Sequence, residues 1–333
     1  MKMKILFVER KLDEFTSIEN VFRQIAEDLS KDKFEFAFQK LIYGNSLAGV
    51  LKNLIFFRKN EADIYHVTGH VHYIALTLPR ERTVLTIHDL GFLHTRKGLR
   101  RYVLKKILLD LPVKKLKYIT AVSETTKKEI IFYTGCKSEK IRVIENPLRH
   151  GFLAGEQRDF DSENPTILQV GTMQNKNVPN LVRALKGIKC KLKIVGKPDS
   201  DLISVLNDNK IDYENVFDLN EEQMKEAYRD CDIVAFCSTY EGFGLPILEA
   251  QAMLKPVITS NLSPMKEVAG EGAFLADPND VSNIREGISR IIADENYRKN
   301  LIEAGARNIE RFEPQKIAGQ YETLYREIIE THE

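Results

Sequence analysis

The chain has 333 residues, and its 49 Lys and Arg against 48 Asp and Glu give a net charge of +1. This length favours two domains, and no apolar run approaches the roughly 18 residues that a membrane-spanning helix needs. The four cysteines have neither disulfide nor zinc spacing, and the N-terminal apolar run turns charged too early for a secretory signal, so we expect free thiols and a cytoplasmic location.

Charge is distributed unevenly along the chain. Residues 1–150 contain 28 Lys and Arg against 17 Asp and Glu, a net charge of +11, whereas the other 183 residues contain 21 against 31, a net of −10. This asymmetry fits two domains that meet different partners, although chance and solvation would also produce it. We expect no nucleic-acid partner.

Apolar segments of strand length alternate with helix-period segments in the N-terminal half. The predicted strands are 4–8, 33–40, 63–67, 83–89 and 117–123. Residues 33–40 (KFEFAFQK) alternate with period two, which predicts a strand near a sheet edge with one wet face. Thr16 and Glu19 form a capping-box pattern at the start of the first helix.

Residues 145–165 interrupt the pattern with Pro and Gly among charges, which predicts an interdomain linker. Strands then follow at 166–171, 191–196, 232–238 and 256–260, and an amphipathic helix comes last. This alternation predicts an α/β fold class with two parallel sheets and ligands beyond the carboxyl ends of the strands. We place the domains at 1–150 and 151–313, with a C-terminal helix at 314–333.

The segment EGFGLPILEA, residues 241–250, predicts a loop that leads into a helix. The Gly-x-Gly motif disfavours regular secondary structure, and Pro246 is tolerated in a helix only near its first turn. The helix is therefore expected to begin close to Gly244 or Leu245. The backbone N–H groups at such a start form an anion site, flanked here by Glu241 before the turn and Glu249 one turn inside the helix. An anion beside two carboxylates that can accept hydroxyl hydrogen bonds indicates a phosphorylated sugar. Alternatively, both glutamates merely cap the helix.

Two further strand ends carry glycine. Gly171 precedes Lys176, which offers a point charge for phosphate, and Gly196 would let a flat base lie against the chain. The loops after the strands at 4–8 and 166–171 have no Gly-x-Gly-x-x-Gly, which argues against a dinucleotide-dependent oxidoreductase.

The order of these motifs resembles retaining glycosyltransferase family 4. The resemblance rests on STYEGFGLPILEAQAMLKPVITSN with its Glu-x7-Glu, together with VGTMQNKN, VGKP and TIHDLGF. It is dense over 166–330 and loose before residue 60. It implies the GT-B fold, in which two Rossmann-like domains face a cleft and the last helix crosses back onto the first domain.

The resemblance also implies residue roles. Glu249 would accept hydrogen bonds from the donor ribose, Lys176 would neutralise the diphosphate, and Glu241 would hold a hydroxyl of the donor sugar. His88 would lie against the reacting carbon from the first domain. The backbone that meets the distal phosphate and sugar would be that of Phe243, Gly244 and Leu245.

The chain departs from the family in two places. Many members carry an arginine near the position of Thr172 and a glycine-rich segment after the first strand, and this chain has neither. Diphosphate neutralisation would then depend more on Lys176, the helix start or another cation such as Lys197. The segment IENPLRHGF (144–152) receives no functional assignment.

The implied function is a retaining hexosyltransferase that moves sugar from a UDP- or GDP-sugar to an acceptor hydroxyl in surface polysaccharide or glycolipid synthesis. The acceptor would be a saccharide or a lipid-linked saccharide, and no metal or other cofactor is expected. A sugar-nucleotide epimerase and a non-catalytic nucleotide-sugar-binding protein of the same fold stay open.

Other interpretations of the same residues are less supported. A hydrolase would need its two carboxyl groups about 5–5.5 or 6.5–9.5 Å apart, and nothing else favours hydrolysis. His66, His70 and His72 lack the acidic or thiol partners of a metal site, so we expect structural or acceptor-side roles. Asp-x-Asp patterns, which bind metal in another transferase architecture, occur at Asp159/Asp161, Asp199/Asp201 and Asp230/Asp232.

Residues 95–118 interleave nine Lys and Arg with Leu, Val and Ile. One interpretation is a solvated basic helix packed on the sheet. The other is an interfacial segment that contacts anionic lipid on the inner face of the membrane.

Overall fold

The computed structural model describes residues 2–11, 17–44, 46–152 and 159–331. The chain forms two compact units, one of Met1–Pro147 with Phe312–Glu333 and the other of Leu148–Arg311. The capping-box pattern at Thr16 falls outside the described residues. Among the helices of the described ranges, none combines the length and the apolar character that crossing a bilayer requires.

The N-terminal unit is built on one parallel six-stranded sheet. Its strands are β1 (Met3–Glu9), β2 (Phe34–Lys40), β3 (Ile64–Val67), β4 (Thr83–Ile87), β5 (Tyr118–Ala121) and β6 (Ile141–Val143). Their spatial order is β2-β1-β3-β4-β5-β6. The central strands β1, β3 and β4 are buried on both faces, as parallel strands covered by helices are. The prediction that 33–40 lies at a sheet edge is confirmed by the position of β2.

Helices cover this sheet. They are α1 (Ser17–Asp28), α2 (Leu47–Phe56), α3 (Gly91–Thr95), α4 (Gly98–Lys105), α5 (Leu111–Lys115) and α6 (Glu124–Thr134). A π-helical turn at Lys106–Asp110 joins α4 to α5. Ser123 caps α6 by accepting a hydrogen bond from the backbone N–H of Thr126, as its sequence position suggests.

The last helix, α14 (Pro314–Glu330), belongs to the N-terminal unit and packs on α1. Its buried carboxylate, Glu322, accepts hydrogen bonds from both the backbone N–H and the hydroxyl of Ser30, each at 2.6 Å. One turn on, the Tyr325 hydroxyl lies 2.7 Å from Nδ1 of His66 in β3. The predicted docking of the C-terminal helix on the first unit is therefore confirmed.

The C-terminal unit repeats the architecture. Its strands are β7 (Thr166–Val170), β8 (Lys191–Val195), β9 (Asp212–Val216), β10 (Ile233–Phe236), β11 (Val257–Ser260) and β12 (Phe274–Ala276), in the parallel order β12-β11-β10-β7-β8-β9. Its helices are α7 (Val178–Leu185), α8 (Ser200–Asp208), α9 (Glu221–Asp230), α10 (Leu245–Ala252), α11 (Met265–Ala269), α12 (Val281–Ala293) and α13 (Glu295–Asn308). Among the strands of the described residues, β6, β9 and β12 were not predicted. Each is short or polar and lies at a sheet edge, where no apolar run marks it.

Candidate functional site

The carboxyl ends of β7 and β10 bring together two motifs that are distant in sequence. Lys176 ends the short 3₁₀ turn after β7, and its ammonium donates a hydrogen bond to Oε1 of Glu241 at 2.7 Å. The neighbouring Asn175 amide contacts the same oxygen at 3.3 Å and donates to the carbonyl of Tyr240 at 2.9 Å. Both side chains of the Lys176–Glu241 pair are only 13–14% exposed. The predicted diphosphate cation and the predicted sugar carboxylate therefore form one preorganised pair.

The geometry at Gly171 explains how this pair is placed. Gly171 has φ of +89°, and a Cβ there would lie 2.9 Å from Cε of Lys176. The glycine thus makes room for the lysine side chain, which also passes 4.6 Å from the ring centre of Phe236. Gly196, with φ of +137°, similarly lies against Thr172. At both glycines the close neighbour is a side chain of the protein itself.

Helix α10 begins where the sequence predicts. Gly244 is its N-terminal flanking residue with φ of +124°, Pro246 lies in the first turn, and Gly244 has no side chain with which to cap the helix. The described hydrogen bonds of Glu241 are with Lys176 and Asn175, and the capping alternative for the two glutamates stays a prediction. Phe243 and Gly244 are buried while Leu245 is partly exposed. The first turn of α10 begins four residues after Glu241, and its N-terminal backbone can receive an anion.

Glu249, one turn into α10, is nearly fully buried and has two partners. The Tyr228 hydroxyl of α9 donates to Oε2 at 2.7 Å, and a guanidinium N–H of Arg149 donates to Oε1 at 3.2 Å. Arg149 lies 5.0 Å above the ring of Phe152, whose ring in turn packs edge-on against Tyr228. Burial, then the negative charge of Glu249, raises the pKa of Tyr228 well above its usual value, so the phenol stays a hydrogen-bond donor.

Lys197 is placed differently from Lys176. Its ammonium pairs with Asp218 at 3.2 Å, and both side chains are more than half exposed. Its backbone carbonyl accepts a hydrogen bond from the hydroxyl of Thr172. A solvent-exposed pair of this kind is screened and weak, so Lys197 is a less effective fixed charge than Lys176.

His88 lies at the carboxyl end of β4 in the N-terminal unit. Its Nε2 donates to the carbonyl of Thr68 at 2.9 Å, which leaves the lone pair on Nδ1. Burial, and then the neighbouring His70, lowers the pKa of His88 to about 3. Asp89 contacts His70 at 3.5 Å and accepts from the N–H of Gly91. His88 is therefore a neutral imidazole, and the adjacent carboxylate does not hydrogen-bond to it.

Of the three histidines of the predicted cluster, His66 and His72 have structural partners. His66 is wholly buried between Tyr325 and Thr86, and His72 donates from Nδ1 to the carbonyl of Leu108. Burial lowers the pKa of His66 to about 3 and that of His72 to about 4. Only His70 is partly open to solvent, with 30% of its side chain exposed.

The acidic pairs have ordinary structural partners. Asp232 is buried and accepts from the backbone N–H groups of Asp161 and Thr166, while Asp199 caps α8. Across the described part of the chain, no cluster of three or more His, Cys, Asp or Glu has a geometry that could hold a metal ion.

Sequence reasoning missed Arg149, Tyr228 and Asn175. Arg149 lies inside the predicted linker 145–165, in the segment IENPLRHGF to which no function was assigned, and Tyr228 lies in a helix whose sequence shows only an amphipathic pattern. Their contacts with Glu249 and Glu241 depend on tertiary packing. The one available signal was the missing arginine near Thr172, which implied that a cation must come from elsewhere.

Two family models match the chain. Glycosyl transferases group 1 matches residues 155–308, and Glycosyltransferase Family 4 matches residues 21–150. Among curated proteins, the capsular polysaccharide biosynthesis glycosyltransferase CapM of Staphylococcus aureus is 26% identical over 87% of this chain and 83% of that protein. The O-antigen chain mannosyltransferase B of Escherichia coli is 26% identical over 75% of this chain and 70% of that protein.

Among solved structures, Anabaena Alr3699/HepE in complex with UDP and glucose superimposes with a TM-score of 0.79 at 18% identity, covering 97% of this chain and 99% of that one. At this identity the likeness concerns the fold, and it confirms the expected GT-B architecture with two Rossmann-like units. Together with the two family models, it leads to one conclusion. The chain is a glycosyltransferase that belongs to the group 1 family.

Proposed function

We propose that this enzyme moves a sugar from a UDP- or GDP-sugar to a hydroxyl group of a saccharide acceptor, with retention, in surface polysaccharide synthesis. The names of two relatives, a capsular glycosyltransferase and an O-antigen mannosyltransferase, support the pathway class. The complex of Alr3699/HepE with UDP and glucose supports a nucleotide-sugar donor. The observation that carries the proposal is the largely buried Lys176–Glu241 pair four residues before the start of α10, where Gly244 has no side chain to cap the helix.

The proposed chemistry is same-face substitution. The acceptor oxygen bonds to the anomeric carbon as the bond from that carbon to the phosphate oxygen breaks, and the acceptor proton passes to the departing phosphate. Negative charge therefore grows on the diphosphate, where Lys176 and the N–H groups of Phe243, Gly244 and Leu245 would stabilise it. Glu241 would hold a sugar hydroxyl while the ring gains positive charge, and Glu249 would bind the ribose. Gly171 and Gly196 shape the donor site, and His88 is proposed as a catalytic hydrogen-bond acceptor.

We also propose that turnover needs no metal ion, because fixed cations and a helix start would stabilise the leaving group. Transfer should then continue at an unchanged rate in EDTA. Loss of transfer in EDTA and its recovery with Mg²⁺ or Mn²⁺ would contradict this part of the proposal.

A screen with UDP- and GDP-sugars tests the function. Release of nucleoside diphosphate that depends on an added saccharide acceptor identifies transfer, and the anomeric configuration of the product tests retention. An altered sugar on an intact nucleotide would instead identify an epimerase. Binding of a nucleotide sugar without either change would identify a binding protein.

We further propose a lipid-linked acceptor and peripheral contact with the anionic inner face of the membrane through residues 95–118. Three of its apolar side chains are exposed, Leu99 at 78%, Tyr102 at 59% and Leu111 at 45%. The segment also lines a groove of about 990 Å³ whose other walls carry Lys137, Lys140 and Arg142. Lys115 does not contribute, because its ammonium is bound to the carbonyls of Ala75, Leu76 and Leu78.

Vesicle sedimentation tests the membrane contact. The protein should sediment with anionic vesicles at low salt, less at high salt, and hardly with neutral vesicles. Leu99→Ser with Tyr102→Ser should weaken this binding, whereas Phe217→Ser, an exposed aromatic change in the other unit, should not. Equal, negligible binding to both vesicle types would leave soluble saccharides as the acceptors.

A further inference from the structure

Glu249 is held from two sides by groups of different character. Tyr228 is wholly buried and neutral, whereas Arg149 is charged and keeps 22% of its side chain exposed against 6% for Glu249. Arg149 is therefore the more solvent-accessible of the two. A ligand that binds at Glu249 lies beside this partly exposed guanidinium.

Few fixed cations lie around Glu241 and Glu249 to balance the charge of a bound nucleotide. A nucleoside diphosphate brings roughly two to three negative charges, and it would bind beside Glu241 and Glu249, which carry two more. Lys176 is paired with Glu241 and Arg149 with Glu249, so the two pairs together carry no net charge, and Lys197 is engaged with Asp218 at the surface. Beside Lys176, Arg149 is the cation that the described contacts attach to this pair of glutamates.

The chemistry of Arg149 suits a phosphate. A guanidinium presents five N–H donors in a planar fork, and among the described residues Arg149 uses this fork in one hydrogen bond, to Oε1 of Glu249. The guanidinium carbon lies 5.0 Å from the ring centre of Phe152, a cation–π contact that restrains Arg149 without using its N–H donors. The first phosphate of a nucleotide joins the ribose through a single methylene and oxygen. A ribose on Glu249 would thus place that phosphate within reach of a guanidinium 3.2 Å from the same carboxylate.

We propose that Arg149 is a donor-binding residue that contacts the diphosphate while Glu249 receives the ribose, an inference that rests on the proposed function. Tyr228 is a positioning residue, which orients Glu249 and does not touch the phosphates. The two residues should therefore affect different parts of the nucleotide.

Calorimetric and NMR titrations with UDP, GDP, uridine and guanosine separate these contributions. For whichever diphosphate binds the unaltered protein, Arg149→Gln should weaken affinity about 10- to 100-fold and change the affinity of its nucleoside less than about threefold. Arg149→Lys keeps the positive charge but loses the planar set of N–H donors, so its loss of diphosphate affinity should be smaller than that of Arg149→Gln. Tyr228→Phe should weaken the binding of the diphosphate and the binding of the nucleoside to a similar degree.

Arg183→Gln is the matched control, an exposed arginine of the same unit that bonds Asn180, and it should leave all four affinities unchanged. Thermal melts establish that each variant is folded. If Arg149→Gln weakens the affinity for the diphosphate and for the nucleoside equally, Arg149 only supports Glu249. If the variant binds the nucleoside more tightly and the diphosphate with unchanged affinity, Arg149 only competes with the ligand for Glu249. Either result overturns the inference while transfer by the unaltered enzyme persists. Absence of transfer and of nucleotide binding in the unaltered protein would instead refute the proposed function.

Discussion

The candidate site residues at the carboxyl edges of the two sheets differ in charge. In the C-terminal unit, Glu241 and Glu249 each face a cation, Lys176 and Arg149 respectively. In the N-terminal unit, the candidate residue His88 is held neutral by burial, although the Asp89 carboxylate follows it in the chain. Two parallel sheets therefore carry paired charges at the candidate site of one unit and a neutral hydrogen-bonding imidazole at that of the other.

The largest expected effect of this difference is on acid stability. His66, His72 and His88 have folded pKa values of about 3 to 4, below the ordinary 6.5 of an unfolded chain. Below pH 6.5 the unfolded chain therefore binds protons that the folded one does not. The free energy of unfolding of the N-terminal unit should fall by up to about 4 kcal/mol per pH unit as the pH decreases from 6.5 towards 4.

Amide hydrogen exchange at pH 7 and pH 5.5 measures the loss of stability for each unit separately. Protection of β1, β3 and β4 should decrease more than that of β7, β8 and β10, after correction for the intrinsic rates. His94, an exposed histidine paired with Glu129, provides the control, since His94→Gln should leave the trend unchanged. Equal losses of protection in both units would refute the contrast.

The second effect distinguishes the two paired glutamates kinetically. Glu241→Gln should lower kcat about 10- to 150-fold, because the sugar it holds gains positive charge in the transition state. Glu249→Gln should raise the donor KM by a similar factor with little change in kcat, because the ribose hardly changes during reaction. Steady-state kinetics with thermal melts test both. The division of roles is wrong if Glu249→Gln reduces kcat as much as Glu241→Gln while the donor KM stays constant.

A smaller effect is expected for the neutral His88. His88→Ala removes an uncharged hydrogen-bond acceptor and should lower kcat about tenfold. Between pH 6 and 8, kcat should show no inflection that depends on His88, because its pKa of about 3 keeps it neutral throughout. His94→Ala, which removes an exposed histidine of the same unit, serves as the matched control for His88→Ala. A change confined to the melting temperature would assign His88 to packing.

The smallest effect concerns the docking of α14. Glu322→Gln keeps one acceptor but removes the charge that strengthens both hydrogen bonds from Ser30, so the free energy of unfolding should fall by about 1 kcal/mol. Urea denaturation measures the change. Glu330→Gln, an exposed substitution at the end of the same helix, should have no measurable effect, and an equal loss there would refute the role of the Ser30 contacts.

The sequence predicted what depends on local pattern. Strand β1, the edge position of β2 and the start of α10 beside Gly244 and Pro246 follow from apolar runs, period-two alternation and the backbone limits of Gly and Pro. What it could not predict depends on side chains meeting across the fold. The reach of Lys176 over Gly171 to Glu241 is one case, and the placement of Arg149 against Glu249 is another. Strand β9 (DYENV) was missed because its polar residues gain their strand conformation from pairing with β8.

The docking of α14 has a consequence for the order in which the polypeptide folds during synthesis. Leu148–Arg311 is one continuous stretch and can fold as soon as it leaves the ribosome. The N-terminal unit is made first, yet Tyr321, Glu322 and Tyr325 that complete its interior are translated after the whole of the other unit. Until then the face of α1 and the His66 side of β3 lack their cover. We therefore expect the unit that begins the chain to be the last to reach its native state.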